Sequence, residues 1–146
     1  GKLRKLFNLI SRPSLVTIYK SFIRPHLDYG DFIYDRPNND SFVQNIEAIQ
    51  YNSALAITGA IKGTSREKLY HELGLESLSS RRWSRRLLTF HKYFTTKNPL
   101  YLYSVIPKVN LNSRTRQRDN IPLLKTRTDT FKYSYFPYTI QEWNKI

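Results

Sequence analysis

The sequence predicts an all-α fold, a small helical bundle of four to five helices with a basic, aromatic-rich irregular C-terminal tail. Three observations carry this. Apolar residues recur at helical spacing in several separate segments. The clearest is Leu78 to Phe94, where Trp83, Leu87, Phe90 and Phe94 stand at i, i+4, i+7 and i+11 and so share one stripe. Proline and glycine punctuate these segments at short intervals, at Pro13, Pro25, Gly59, Gly74, Pro99 and Pro107. After Pro107 the texture turns polar and the periodicity fades, so little β structure is expected. The division read from this pattern is a helical domain over residues 1–107 and a connector tail over 108–146.

Taken in order, Lys2 to Ile10 reads as the end of a helix or an arm entering the first one. Pro13 suits a helix first turn, and Leu15, Ile18, Tyr19 and Phe22 form an amphipathic repeat. Pro25 is expected to kink or end that helix, and Pro37-Asn38-Asn39 to form a loop. Asp40 reads as an N-cap for a long helix with Phe42, Ile46, Ile49, Ser53 and Ala56 on its inner stripe. Gly59 is placed to close it in a left-handed conformation. Thr64-Ser65-Arg66-Glu67 fits a capping box; Leu69, Tyr70 and Leu73 follow on a short helix closed by Gly74. Ser77 or Ser79 caps the helix of Leu78 to Phe94, with Trp83 turned to the core. Asn98-Pro99 stops that helix and starts a short one ended by Pro107. Lys108 to Asp129 reads as loop, with a short extended piece at Ile121 to Leu124. Five of the eight residues from Phe131 to Tyr138 are aromatic, and a segment so rich in rings should dock on something. Ile140 and Trp143 mark one last helical turn that packs back.

The chain has 146 residues, 40% of them hydrophobic, enough for one domain that buries roughly two-thirds of its unfolded surface. It has no cysteine, which excludes a disulfide framework and a cysteine-based zinc site. No apolar run approaches the roughly 20 residues of a membrane span, and the first residues do not form a secretory signal. A chain that begins with Gly and has no Met is expected to be a piece of a longer open reading frame. The net charge of +13 is unevenly placed: residues 1–60 carry 7 Lys/Arg against 5 Asp/Glu, and residues 61–146 carry 17 against 6. Such an excess expects phosphate or an acidic partner.

Few constellations offer catalytic chemistry. Asp28, Asp31 and Asp35 fall at i, i+3 and i+7. On one helix they would share a face, either as a metal site of a nuclease type or, more simply, as a solvated face or partners for nearby arginines. His26, His71 and His91 are far apart, with none at the i, i+4 spacing of a helical zinc site. No glycine-rich phosphate loop is present and no nucleophile is singled out. The reading assigns no catalytic residue, no metal and no cofactor. The remaining signal is basic. Arg81, Arg82, Arg85, Arg86 and Lys92 lie on one helix, with Arg81, Arg85 and Lys92 opposite the apolar stripe and Arg82 and Arg86 on its flank. Arg114, Arg116 and Arg118 alternate in the tail, followed by Lys125, Arg127 and Lys132. Arginine forks suit phosphate, and neutralising roughly five phosphates would give a slope of log K on log salt of about −4. Tyr93 and the tail tyrosines are candidates for stacking on sugars or bases.

Three blocks then align with a known family. IYKSFIRPHLDYGDFIY (Ile18 to Tyr34), IEAIQYNSALAITGA (Ile46 to Ala60) and ELGLESLSSRRWSRRLLTFHKYF (Glu72 to Phe94) resemble the segment after the catalytic palm in reverse transcriptases of jockey-like retrotransposons lacking long terminal repeats. The closing FKYSYFPYTIQEWNKI resembles the end of that region. The resemblance implies a thumb and C-terminal connector: helices that grip the template–primer duplex, an RNA–DNA hybrid, by its backbone. Its partners would be nucleic acid and the palm of a parent RNA-directed DNA polymerase, with no membrane and no small-molecule substrate, in a cytoplasmic or nuclear, intracellular setting. Tyr34-Asp35-Arg36 lacks the paired aspartates of a polymerase palm, so the piece alone is expected not to be an enzyme. Relatives often carry arginines in the helix spanning Gln50 to Ala56, where this chain has Asn52 and Leu55. The alternative function is a helical protein–protein interaction module.

Overall fold

The structure is a computed structural model that describes residues 5–6, 9–30, 40–109 and 120–146. All regular elements among these are helical and no strand occurs, so the all-α class holds. The described residues divide into two compact units. The first takes in residues up to 30 and 40–82; the second runs from 83 onward. This differs from the boundary at 107/108 read in the sequence: residues 120–146 belong with most of the arginine-bearing helix.

In the first unit, α1 (Arg12–Ile18) begins with Pro13 in its first turn, as the sequence predicts. It runs into a π turn (Tyr19–Ile23) and then α2 (Arg24–Asp28). Pro25 neither ends the helix nor leaves it regular. Proline has no N–H to give and its ring crowds the preceding turn. The chain widens by one residue instead, and the Arg24 N–H reaches the Tyr19 carbonyl, five residues back. Helix α3 (Asp40–Thr58) follows, and Gly59 takes a left-handed φ of 72° after it. Helix α4 (Arg66–Leu73) ends at Gly74, φ 58°, whose conformation lets the Leu75 N–H bond the Tyr70 carbonyl at 2.8 Å. The capping box is not formed. Ser65 stands at the N-cap without a side-chain bond, and the Thr64 hydroxyl donates to the Ile61 carbonyl at 2.8 Å. The core is Leu15, Tyr19, Ala54, Ile57, Leu69, Tyr70, Leu73 and Leu75, with Leu6 and Ile10 packed against it.

The inner stripe of α3 is rotated from the expected one. Glu47, Gln50, Ala54 and Ile57 are buried; of the expected stripe Ser53 is buried and Ile46 and Ala56 are half-buried, whereas Phe42 and Ile49 are exposed. Glu47 and Gln50 therefore occupy core positions that the sequence did not assign them, and hydrogen bonds explain why. The Tyr19 hydroxyl donates to Gln50 Oε1 at 2.7 Å, and Gln50 Nε2 donates to the Glu76 carbonyl at 2.8 Å. Glu47 Oε2 accepts the Leu78 N–H at 3.0 Å, which places a carboxylate at the positive end of the helix that starts there.

That helix, α5 (Leu78–Thr96), opens in the first unit and continues through the second. Ser77 is its cap: the Ser77 Oγ accepts the Ser80 N–H at 3.2 Å. In the second unit Phe90, Ile106, Ile121 and Ile140 form the core, with Phe94, Tyr103, Phe136 and Trp143 packed against it. Helices α6 (Leu100–Tyr103), α7 (Asp129–Lys132) and α8 (Tyr135–Trp143) complete it. The aromatic tail, expected to be irregular up to one last turn, is thus largely helical. Pro137 is compatible with α8 because it sits in the first turn, where no intrahelical N–H bond is required. Ile121 to Leu124 forms no strand. Its Ile121 is held by Asn144, which accepts from the Ile121 N–H at 3.0 Å and donates to its carbonyl at 2.8 Å.

Candidate nucleic-acid interface

The basic helix α5 is less a solvated cation band than its sequence implies. In the first unit, Arg81 Nη2 bonds Asp28 Oδ2 at 2.8 Å, with Arg24 Nε 3.9 Å from the same oxygen. Of the two readings of the aspartates, this is the arginine-partner one for Asp28. Asp31 and Asp35 lie outside the described residues, and no cluster of metal-ligating side chains occurs among those described. Arg82 is 2% exposed. In the second unit, Arg86 is equally buried, its guanidinium lying over the Tyr138 ring at 4.7 Å. The Tyr135 hydroxyl donates to the Arg86 carbonyl at 3.4 Å. Arg85 is half-buried and Lys92 is exposed. Arg82 and Arg86 therefore face inward, in register with Leu78 and Phe90 at four-residue steps. Trp83, expected in the core, is 43% exposed and its Nε1 donates to Glu142 Oε2 at 3.3 Å. For Arg86 the physical reason is the planar guanidinium of arginine, which can be buried against an aromatic face. A hydropathy pattern does not register that.

Burial also sets the tyrosines. It pushes the Tyr19 phenol above its ordinary range, against the opposing influence of Arg24. It does the same to Tyr70, with the Glu47 carboxylate adding to the shift. Tyr135 is raised by burial first and by Tyr93 second, with Arg86 opposing. Tyr135 and Tyr138 are thus engaged inside the second unit, through Arg86, rather than presented for stacking.

Arg114, Arg116 and Arg118 lie outside the described residues. The exposed cations are single residues scattered along the second unit, and of these sequence reasoning passed over Lys97 and Lys108. Lys92, Lys97, Lys108, Lys125, Arg127 and Lys132 are all exposed. None takes part in an ion pair among the described residues. The acidic side chains described in this unit are Asp129 and Glu142, and Glu142 is held by Lys145. That hydrogen bond is also the first cause of the upward shift of the Lys145 ammonium. In the first unit the comparable exposed set is Lys5, Lys62, Arg66 and Lys68, with Arg66 5.5 Å from the Tyr51 ring centre. No described helix is long and apolar enough to cross a membrane.

Comparison with family models, with curated proteins and with solved structures gives no significant match for this chain.

Proposed function

We propose that this chain is a nucleic-acid-binding thumb and connector segment of a retrotransposon-type RNA-directed DNA polymerase. It grips the template–primer duplex through backbone phosphates and contributes no catalytic residue. The observation that carries the reading is the set of six exposed cations in the second unit, Lys92, Lys97, Lys108, Lys125, Arg127 and Lys132, which have no carboxylate partner among the described residues. Such cations attract a polyanion and release its counterions on contact. The arginines of α5 act differently: Arg82 and Arg86 hold the helix in place, and Arg81 is committed to Asp28. The resemblance of the blocks Ile18–Tyr34, Ile46–Ala60 and Glu72–Phe94 to the post-palm segment supplies the polymerase context. Backbone contacts position a strand without reading its bases, so little sequence preference is expected. The test is fluorescence anisotropy with a labelled RNA–DNA hybrid across a salt series. A linear fall of log K against log salt, with a slope of about −4, is expected if roughly five phosphates are neutralised. Salt-insensitive association, or no association by the folded protein, would overturn the reading.

A further inference from the structure

The residues from Lys125 to Lys132 are all exposed, an unbroken run of eight. They carry three cations, Lys125, Arg127 and Lys132, one carboxylate, Asp129, and one large ring, Phe131, which is 45% exposed. The run is nevertheless fixed at both ends. Before it, Ile121 is buried and clamped by the two Asn144 bonds. After it, Pro137 and Ile140 are buried in α8. Its own turn is also locked: the Thr128 Oγ accepts the Phe131 N–H at 3.3 Å, and the Ser134 hydroxyl donates to the Phe131 carbonyl at 2.7 Å. Lys132 Nζ lies 5.3 Å from the Tyr133 ring centre, and Tyr133 packs against Tyr138 at 6.3 Å. A held loop that carries an exposed ring and three cations within eight residues loses little freedom when it binds.

Resting on the nucleic-acid reading above, we infer that this loop is a binding surface for single-stranded nucleic acid, with Phe131 stacking on a base and Lys125, Arg127 and Lys132 meeting its phosphates. A ring beside cations suits an unpaired strand because every base offers a π-face, whereas in a duplex those faces are covered by their neighbours. Phe131 has no polar group with which to read a base edge, so the contact is tolerant of sequence. Two other exposed rings of the unit fit less well. Trp83 is already engaged, its Nε1–H donating to Glu142. Tyr101 stands in α6 beside exposed Leu100, with Val105 exposed just beyond that helix, and the nearest cation in sequence, Lys97, lies over the Tyr103 ring instead.

The experiment compares the wild type, Phe131→Ala, Tyr101→Ala and the double variant Lys125→Ala/Arg127→Ala. Anisotropy is read with a labelled oligothymidylate, an abasic oligonucleotide of equal length and the RNA–DNA hybrid. Thermal melting of each variant checks its fold. Phe131→Ala should weaken oligothymidylate binding by about five- to a hundredfold, with melting and hybrid and abasic affinities unchanged. Tyr101→Ala should change nothing. The double variant should flatten the oligothymidylate salt slope by about 1.4, at roughly 0.7 for each phosphate contact on a single strand. Undiminished oligothymidylate binding by Phe131→Ala, or equal losses in Phe131→Ala and Tyr101→Ala, overturns this inference and leaves the hybrid grip standing. So does a wild type that ignores oligothymidylate but binds phosphatidylserine vesicles through Phe131. A folded wild type that binds neither strand nor hybrid overturns both readings.

Discussion

The first unit has polar groups at its centre and the second has rings. In the first, Tyr19 and Gln50 meet at 2.7 Å within a core of Leu15, Ala54, Ile57 and Leu69, and Glu47 reaches from α3 to the first N–H of α5. In the second, Phe90 lies against Trp143 at 5.4 Å and Phe94 at 6.3 Å, and the buried cation Arg86 is covered by the Tyr138 ring. A hydrogen bond fixes donor against acceptor, so the first core specifies which helix face turns inward. Ring packing supplies area with looser angular demands. Polar groups decide the orientation of α3, and area does most of the holding around α8.

The contrast predicts different responses to substitution. Phe90→Ala should be the largest effect, a loss of about 3–5 kcal/mol, as a fully buried ring leaves a cavity. Both tryptophans of the chain, Trp83 and Trp143, belong to the second unit. The variant should therefore lower the tryptophan-fluorescence transition, while amide exchange at Ala54 and Ile57 stays protected. Equal loss of protection there would mean the two cores do not melt separately. Gln50→Leu should reverse the pattern. It strands the buried Tyr19 hydroxyl and the Glu76 carbonyl, at about 2 kcal/mol. Exchange at Ala54 and Ile57 should quicken with the fluorescence transition in place. A neutral result would show that the hydrogen bonds orient α3 without stabilising it.

A smaller effect follows from the tyrosines. Tyr19, Tyr70 and Tyr135 have phenol pKa values raised by burial above their ordinary value of 10.0. The fold therefore prefers the protonated form. Its contribution is complete below pH 10 and is lost as pH rises beyond it, because the unfolded chain then binds fewer protons than the folded one. Each affected phenol weighs about 1.4 kcal/mol per pH unit at most. Two of the three lie in the first unit and one in the second. Exchange protection at Ile57 should thus fall sooner than Trp143 fluorescence changes in an alkaline titration. The opposite order would break the contrast.

What the sequence discloses and what it hides follows the same division. Gly59, Gly74, Ser77 and Pro13 are legible because each acts through its own backbone and a turn of chain on either side. The stripe of α3 is misread because Glu47 and Gln50 look like surface residues, and only partners far along the chain, Leu78 and Glu76, make them core. The same holds for Arg82 and Arg86. Their charge reads as exposure, while a ring more than forty residues on, Tyr138, covers Arg86. Helix α8 is hidden by Pro137, a breaker in general and harmless in a first turn. Of the candidate site, the charge excess is visible in composition. Which cations meet solvent is not, since that depends on long-range packing.

The central claim is that buried arginines of α5 hold the fold while exposed cations elsewhere meet nucleic acid. The most direct test measures melting temperature and hybrid-binding salt slope together, for Arg86→Met and for Lys125→Ala/Arg127→Ala/Lys132→Ala. Arg86→Met, which removes a buried cation from the Tyr138 ring, should lower the melting temperature, by about 1–2 kcal/mol in stability, with the slope unchanged. The triple variant should melt like the wild type and flatten the slope by about three. A flattened slope in Arg86→Met with melting unchanged, beside an unaltered slope in the triple variant, would contradict the account and return the grip to α5.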